Sequence, residues 1–364
     1  MSQKDQPVGF HLVGSIPLSS TEDIFKSLCS ALPSHLMRIP DGETGKRDNW
    51  IRWQREIFAA SPGILREEVP AGNIYTHRSH DMQSQIRNED VGHFLDAFPP
   101  LETLYDQYAM ESYAIFRCLR TEGIIPTHTR FQVSLPTPLA VVARHIAPPF
   151  QAGIERTYEE AILRSLVNIQ KEIPHTDLAI QWDVAFEIGM LEGVPGALFK
   201  PWFYPLKEGI IDRIKRLVMA VKPDVEVGIH LCYGDSGGNH FVQPKDTAVV
   251  TEIATSILHA VQAHRSITWI HLPVPKDRRD VEYFSPLSRL VPELKNTSSG
   301  AKETKLFLGL VHPSDEDGTR KRIDAAKKVV DNFGVATECG MGRFTREQFK
   351  SILGIAAAVS APHF

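Results

Sequence analysis

His230 and Cys232 stand two apart in the run His230-Leu231-Cys232, and Cys339-Gly340 follows more than a hundred residues later. On a β-strand, residues two apart face the same side, so this imidazole and this thiol can reach one metal ion. The run Val225-Glu226-Val227-Gly228-Ile229 before them is strand-like, and 233–238 reads as loop, which places the pair where a strand ends. Cys339 sits in the same kind of place, with Gly334-Val335-Ala336-Thr337 leading in and Gly340-Met341-Gly342 following. Two thiols and one imidazole suit Zn(II), and three protein ligands leave a position open for chemistry. An H-x-C alone arises by chance, and buried cysteines are usually small inert hydrophobes, so the trio needs context before it means a metal.

That context is the set of elements that must bring the three together. Eight short apolar or β-branched runs read as strands: Gly9–Ser15, Leu36–Pro40, Phe131–Leu135, Leu178–Val184, Val225–Tyr233, Ile267–Val274, Lys305–Val311 and Val335–Cys339. Several lack alternation, as parallel strands covered on both faces do. Amphipathic stretches separate them: Thr21–Ala31, Asn49–Ala60, Leu101–Thr121, Thr157–Glu172, Gly209–Val221, Asp246–Ala263, Gly318–Asn332 and Thr345–Ala357. This alternation predicts a single (β/α)8 barrel spanning 1–364, with long loops at the C-terminal face. A doubly wound open sheet is the alternative, but Gly14-Ser15-Ile16-Pro17 lacks the spacing of a dinucleotide-binding turn. Two long loops are expected. Pro62–Val91 carries His77 and His80, while Val194–Lys207 carries Phe199, Trp202, Phe203 and Tyr204, which cap a site or merely seal a barrel end.

In a barrel, chemistry gathers at the carboxyl ends of the strands. The residues there are Ser15, the Asp41-Gly42-Glu43 segment with Lys46, Arg47 and Asp48 behind it, Asp183, His230 with Cys232, His271, His312 and Cys339. Asp41 and Asp48 read as capping or loop residues. His312, at the seventh strand end, is the candidate general acid for a leaving oxygen or nitrogen, with a plain loop histidine before Pro313 as the other reading.

Composition bounds the partners. A formal charge of −4, with 42% hydrophobic and 23% charged residues, is that of an ordinary soluble protein. Dispersed basic residues give no sign of a nucleic-acid or membrane-surface binder, and the Arg320-Lys321-Arg322 cluster reads as a solvated helix face. No apolar run reaches the roughly 20 residues of a membrane span, and the amino terminus lacks the apolar core of a signal peptide. Of four cysteines, Cys29 and Cys118 read as helix core. A reducing, cytoplasmic setting is expected.

The strand-end segments, in order, resemble the catalytic barrel of cobalamin-independent methionine synthase. Val13-Gly14-Ser15-Ile16-Pro17 is similar to its opening "IGSFP", and Asp41-Gly42-Glu43 with Arg47-Asp48 to "HGE…R.D". Ser134–Val142 resembles "GPVT", Ile180-Gln181-Trp182-Asp183 "IQ.DEPA", His230-Leu231-Cys232 "H.C", and Glu338-Cys339-Gly340-Met341 "DCGL". The H-x-C with C-G is the specific part of the resemblance, which spans nearly the whole chain. It implies that His230, Cys232 and Cys339 bind Zn2+. It also implies that Ser15, Glu43 and Asp183 hold the amino-acid part of a thiol, the two carboxylates on an ammonium and the serine on a carboxylate. Asp183 is counted with His312 among the catalytic candidates as well.

The departures bear on the substrate. Where the family has a glutamate zinc ligand at the sixth strand end, this chain offers His271, which becomes a candidate fourth ligand and would make the site neutral overall. The pterin-stacking tryptophan aligns with Arg144, and the acidic residue six past Asp183 is Gly189. There is room for one barrel where the family has two. These differences argue against methyltetrahydrofolate as the donor. The expected activity is a zinc-dependent thiol alkyltransferase, with methyl the leading alkyl group and a small-molecule thiol and an alkyl donor as partners. Thiol addition to an epoxide or activated alkene, as in coenzyme M transferases, and a non-catalytic barrel with structural zinc are the alternatives. A metal-free decarboxylase barrel does not account for the H-x-C and Cys339.

Overall fold

Short buried runs spaced by amphipathic stretches leave a chain few options except strands walled by helices, and that is what forms. A computed structural model describes residues 6–67, 88–234, 240–295 and 303–363. Eight parallel strands are present: β1 (Phe10–His11), β2 (Arg38–Pro40), β3 (Arg130–Pro136), β4 (Leu178–Val184), β5 (Glu226–Leu231), β6 (Trp269–Pro273), β7 (Lys305–Val311) and β8 (Gly334–Thr337). They form one sheet in the order β1-β8-β7-β6-β5-β4-β3-β2, a nearly closed (β/α)8 barrel.

The seam lies between β1 and β2. There the Phe10 N–H donates to the His35 carbonyl at 2.9 Å and the Ile16 N–H to the Gly42 carbonyl at 3.0 Å. The expected first strand, Gly9–Ser15, shrinks to two paired residues for a physical reason. Past His11, the Leu12 and Val13 carbonyls accept from side chains inside the barrel instead of from a neighbouring strand: Gln132 reaches both, and Ser134 and Gln181 reach Val13.

Helices cover the outside. Thr21–Ala31 begins where Ser20 accepts from the Asp23 N–H, a side-chain N-cap that ends the loop. Tyr105–Thr121, Gln151–Glu172, Leu206–Ala220, Ala248–Val261, Glu316–Lys327 and Arg346–Val359 match the amphipathic stretches within a few residues. The stretch 49–60 is instead a 3₁₀ segment, Arg52–Phe58. Near the amino-terminal end of the barrel, Arg38 is buried over the Trp269 ring at 4.0 Å and pairs with Glu226 at 2.7 Å.

Two expectations fail on packing. Cys118 is exposed rather than core, on the solvent side of its helix, where its thiol donates to Glu122 at 3.3 Å. Within the basic cluster, Arg320 and Lys321 do form solvent-side pairs with Glu316 and Asp317, but Arg322 is fully buried. Its guanidinium donates to the Leu310 carbonyl and pairs with Asp315 at 2.9 Å. His77 and His80 lie outside the described residues. Among the described residues no helix is long and apolar enough to cross a membrane.

Candidate metal centre

β5 delivers His230 and, one residue past its end, Cys232, whose N–H donates to the Val184 carbonyl at the end of β4 at 2.8 Å. β8 delivers Cys339. The ladder between β7 and β8 shifts register between Leu308 and Val311, and Gly309 permits the approach. A Cβ at 309 would lie 2.7 Å from the Glu338 Cα, so any larger residue would push the Cys339 segment away. Beyond β8, the Thr337 hydroxyl donates to the Cys339 carbonyl at 2.8 Å and fixes the turn.

The result is a compact donor set. One ligand atom each from His230, Cys232 and Cys339 lies within 4.8 Å of the other two. The two sulfurs are 3.6 Å apart. Two bonds of about 2.3 Å meeting at a tetrahedral angle would place sulfurs about 3.8 Å apart, so the thiols already have the spacing of a zinc edge. The Gly234 N–H donates to the Cys232 sulfur at 3.2 Å, which favours thiolate at that position.

His230 completes the test of fit. Its Nδ1 lies 2.6 Å from His271 Nδ1, while its Nε2 is buried without a hydrogen-bond partner. A buried ring nitrogen is normally satisfied, and an orphan beside two thiols is what a metal ligand looks like without its ion. The residues present fit Zn2+.

His271 stands beside this group rather than in it. It is paired in register with His230 across β5 and β6, and Asp183 is paired with His230 across β4 and β5, so the three stand side by side at one level of the barrel. His271 Nε2 lies 3.0 Å from the Thr337 carbonyl, so both of its ring nitrogens are engaged by protein groups. Burial pushes its pKa down to about 3, and burial with the adjacent His271 and His11 rings also holds His230 well below the ordinary range.

A cleft opens over His230, Cys232 and Cys339. Ser15, Glu43 and Asp183 line it together with His230, Cys232 and Cys339. Asp41 builds the Glu43 loop from beneath: it pairs with Arg47 at 2.7 Å, accepts from the Ser112 hydroxyl at 2.8 Å and accepts from the Glu43 N–H at 3.0 Å. Glu43 is thereby held at φ 54°, a left-handed conformation that turns its carboxyl into the cleft. The surrounding protein raises Glu43 to about 8, against the pull of Arg47. Burial raises Asp183 well above the usual carboxylate range and the Glu43 charge adds to it, while hydrogen bonds from Gln181 and Trp50 oppose. Ser15 packs on the β8 turn, where a Cβ at 340 would come within 2.3 Å of its hydroxyl oxygen. That oxygen accepts from the Gly342 N–H at 3.3 Å, leaving the hydroxyl hydrogen to donate into the cleft.

Other expected residues stand apart. His312 is buried outside the cleft lining, with Nε2 2.9 Å from the Val274 carbonyl, and burial together with Arg322 pushes it down to about 3. Lys46 is exposed and paired with Glu56, and Asp48 is exposed. Arg144 does not line the cleft. The aromatic loop seals a barrel end: Phe199 packs on Phe186 and Phe241, while Trp202 donates to Glu155 at 2.7 Å.

Two large lining side chains, Trp50 and Arg343, escaped the sequence reading. Trp50, at φ 51°, lines the cleft and stacks on Phe186, and His145 Nε2 pins the neighbouring Ile51 carbonyl at 2.9 Å. Arg343 enters from the turn that carries Cys339, and its place four residues after that candidate ligand was the available signal.

No protein-family model matches the chain, and no curated protein sequence matches it. A solved structure does. A Listeria monocytogenes protein, assigned provisionally as a vitamin-B12-independent methionine synthase, aligns over 97% of this chain and 98% of its own, with a TM-score of 0.51 and 13% identity. At that identity the likeness establishes the fold, a methionine-synthase-like barrel.

Proposed function

We propose that this protein is a zinc-dependent transferase that takes a small amino-thiol in the cleft and joins an alkyl group, a methyl in the leading case, to its sulfur. One observation carries the reading: the two thiols and His230 share a single cleft with Glu43, Asp183 and Ser15. Zinc held there supplies the Lewis acidity that keeps a substrate thiol ionised at neutral pH.

The chain's own residues do the rest. Glu43 and Asp183, both held toward their neutral forms by burial and Asp183 also by the Glu43 charge, gain a counter-ion when an ammonium group enters between them. The Ser15 hydroxyl is placed to donate to a carboxylate. The Gly234 N–H holds the Cys232 sulfur as an acceptor, and the cleft walls fix the nucleophile for in-line attack. The thiol gives up its proton to solvent water, its sulfur forms the new bond to carbon, and the leaving group departs with the electron pair of the broken carbon bond.

A donor smaller than methyltetrahydrofolate fits better. Position 189 is glycine, and a Cβ there would come within 2.6 Å of the Phe199 ring, so an aromatic wall fills the space an acidic side chain would need. A closed structural zinc site fits less well, because only three ligating groups converge among the described residues.

Calorimetry on the zinc-loaded protein tests the reading. A 2-amino thiol should bind at least about tenfold more tightly than the same thiol without the amine, since an ion pair in a buried site is at stake. Mass spectrometry with a panel of methyl donors and epoxides then reads the product, an S-methyl thiol being expected. Equal binding of both thiols would remove the amino-thiol assignment, and hydroxyalkyl products alone would move the activity to epoxide addition.

A further inference from the structure

The contacts of His271 define what it does. A carbonyl oxygen can only accept, so the contact with Thr337 O at 3.0 Å makes His271 Nε2 the donor. A neutral imidazole carries one N–H, which leaves His271 Nδ1 as an acceptor. The 2.6 Å contact between the two Nδ1 atoms then requires the hydrogen to sit on His230. His230 in turn has its one N–H at Nδ1, and Nε2, the buried nitrogen with no partner, carries the free lone pair. A single chain of hydrogen bonds, Thr337 to His271 to His230, thus specifies which nitrogen faces the thiols. No ring nitrogen of His271 remains to bind a metal.

We infer that His271 is the positioning residue of the metal centre: it fixes the tautomer and orientation of His230 and leaves three protein ligands with an open fourth position. The inference rests on the reading of His230, Cys232 and Cys339 as metal ligands. It explains how a histidine stands where a direct ligand was expected without closing the site. A ligand histidine commonly donates its other N–H to a carboxylate or carbonyl; here a second histidine accepts that hydrogen bond and passes the constraint to the end of β8. Because Thr337 lies two residues before Cys339, the same chain ties the β5 ligands to the β8 ligand.

The relay makes an unusual demand on substitutions. Glutamine can reproduce it, with its amide oxygen accepting from His230 and its amide nitrogen donating to Thr337, whereas leucine can do neither. His271→Gln should hold zinc within a few-fold of the wild-type affinity, and His271→Leu should lose about 10–100-fold. Zinc-edge X-ray absorption should show two sulfurs and one imidazole in all three proteins. A direct-ligand role predicts otherwise: two imidazoles in the wild type, one in both variants, and glutamine no better than leucine. That result would overturn the inference and leave the metal reading standing.

Nitrogen-15 NMR of histidine-labelled, metal-free protein gives a second measurement that needs neither zinc nor activity. It should find His230 protonated at Nδ1 and His271 at Nε2, with the His230 preference weakened in His271→Leu and kept in His271→Gln. His230 protonated at Nε2 in the wild type would contradict the relay. Failure of the wild type to bind zinc at all would instead remove the parent reading, and the NMR result would still decide the relay.

Discussion

The sulfurs of Cys232 and Cys339, separated by 107 positions in the chain, lie 3.6 Å apart at the ends of two strands that are not neighbours in the sheet. β6 and β7 stand between them. Barrel curvature and the register shift at Gly309 together close that distance, so the fold spends local irregularity where the donor set forms.

Replacing either thiol should therefore cost the metal. Cys232→Ser and Cys339→Ser should each lower zinc stoichiometry from about one per chain to a small fraction, read by elemental analysis after dialysis. Circular dichroism should show the barrel intact, since serine nearly keeps the size of each side chain at the edge of a large core. Full zinc retention in both variants would remove the site.

Glu43→Gln and Asp183→Asn should leave zinc binding and folding near wild type while weakening an amino-thiol by about tenfold or more each, because each removes a charge facing the ammonium. The two effects should be non-additive, because the Glu43 charge raises Asp183. Calorimetric titration of both single variants and the double variant measures this, and strict additivity would mean the two do not share one ligand group.

Much of this was legible in the sequence, and the reasons are local. β4 and β7 match their predicted runs end to end, because strands covered on both faces are largely hydrophobic and these two are broken only by Gln181 and Asp183 in β4 and by Lys305 at the start of β7. The convergence of His230, Cys232 and Cys339 was legible from the period of one strand and the end of another. His271 could be read from the sequence only as a strand-end histidine, which suits a ligand as well as a ligand's partner, and the positioning role inferred above rests on its contact with Thr337. Trp50 was hidden by its left-handed backbone, which no residue preference signals for tryptophan. Arg322 was read as surface from its basic neighbours, but 3.6-residue periodicity turns it inward while Arg320 and Lys321 face out.

Arg322→Met should lower stability by about 3 kcal/mol, since it leaves Asp315 without its buried partner and the Leu310 carbonyl without a donor. Urea unfolding of the two proteins measures it, and a change under about 0.5 kcal/mol would place Arg322 with ordinary surface residues.

Glu187 gives the fold a pH dependence of its own. The carboxyl is buried with one oxygen unpartnered, and burial raises it to about 7 against a hydrogen bond from Thr137. Its ordinary pKa of 4.5 lies below the folded value, so the folded state binds more protons than the unfolded state between 4.5 and about 7. Stability should therefore fall as pH rises through that window, by up to about 3 kcal/mol from this group. Glu187→Gln should flatten this part of the profile in metal-free protein. An unchanged slope in the variant would show that Glu187 does not titrate there.

The central claim is that three protein ligands hold zinc and leave a place for a thiol. Zinc-edge X-ray absorption of the loaded protein, before and after an amino-thiol is added, tests it most directly. The account predicts two sulfurs at about 2.3 Å at first and a third once the thiol is present. A shell that stays at two sulfurs with saturating thiol, or zinc that fails to bind, would contradict it.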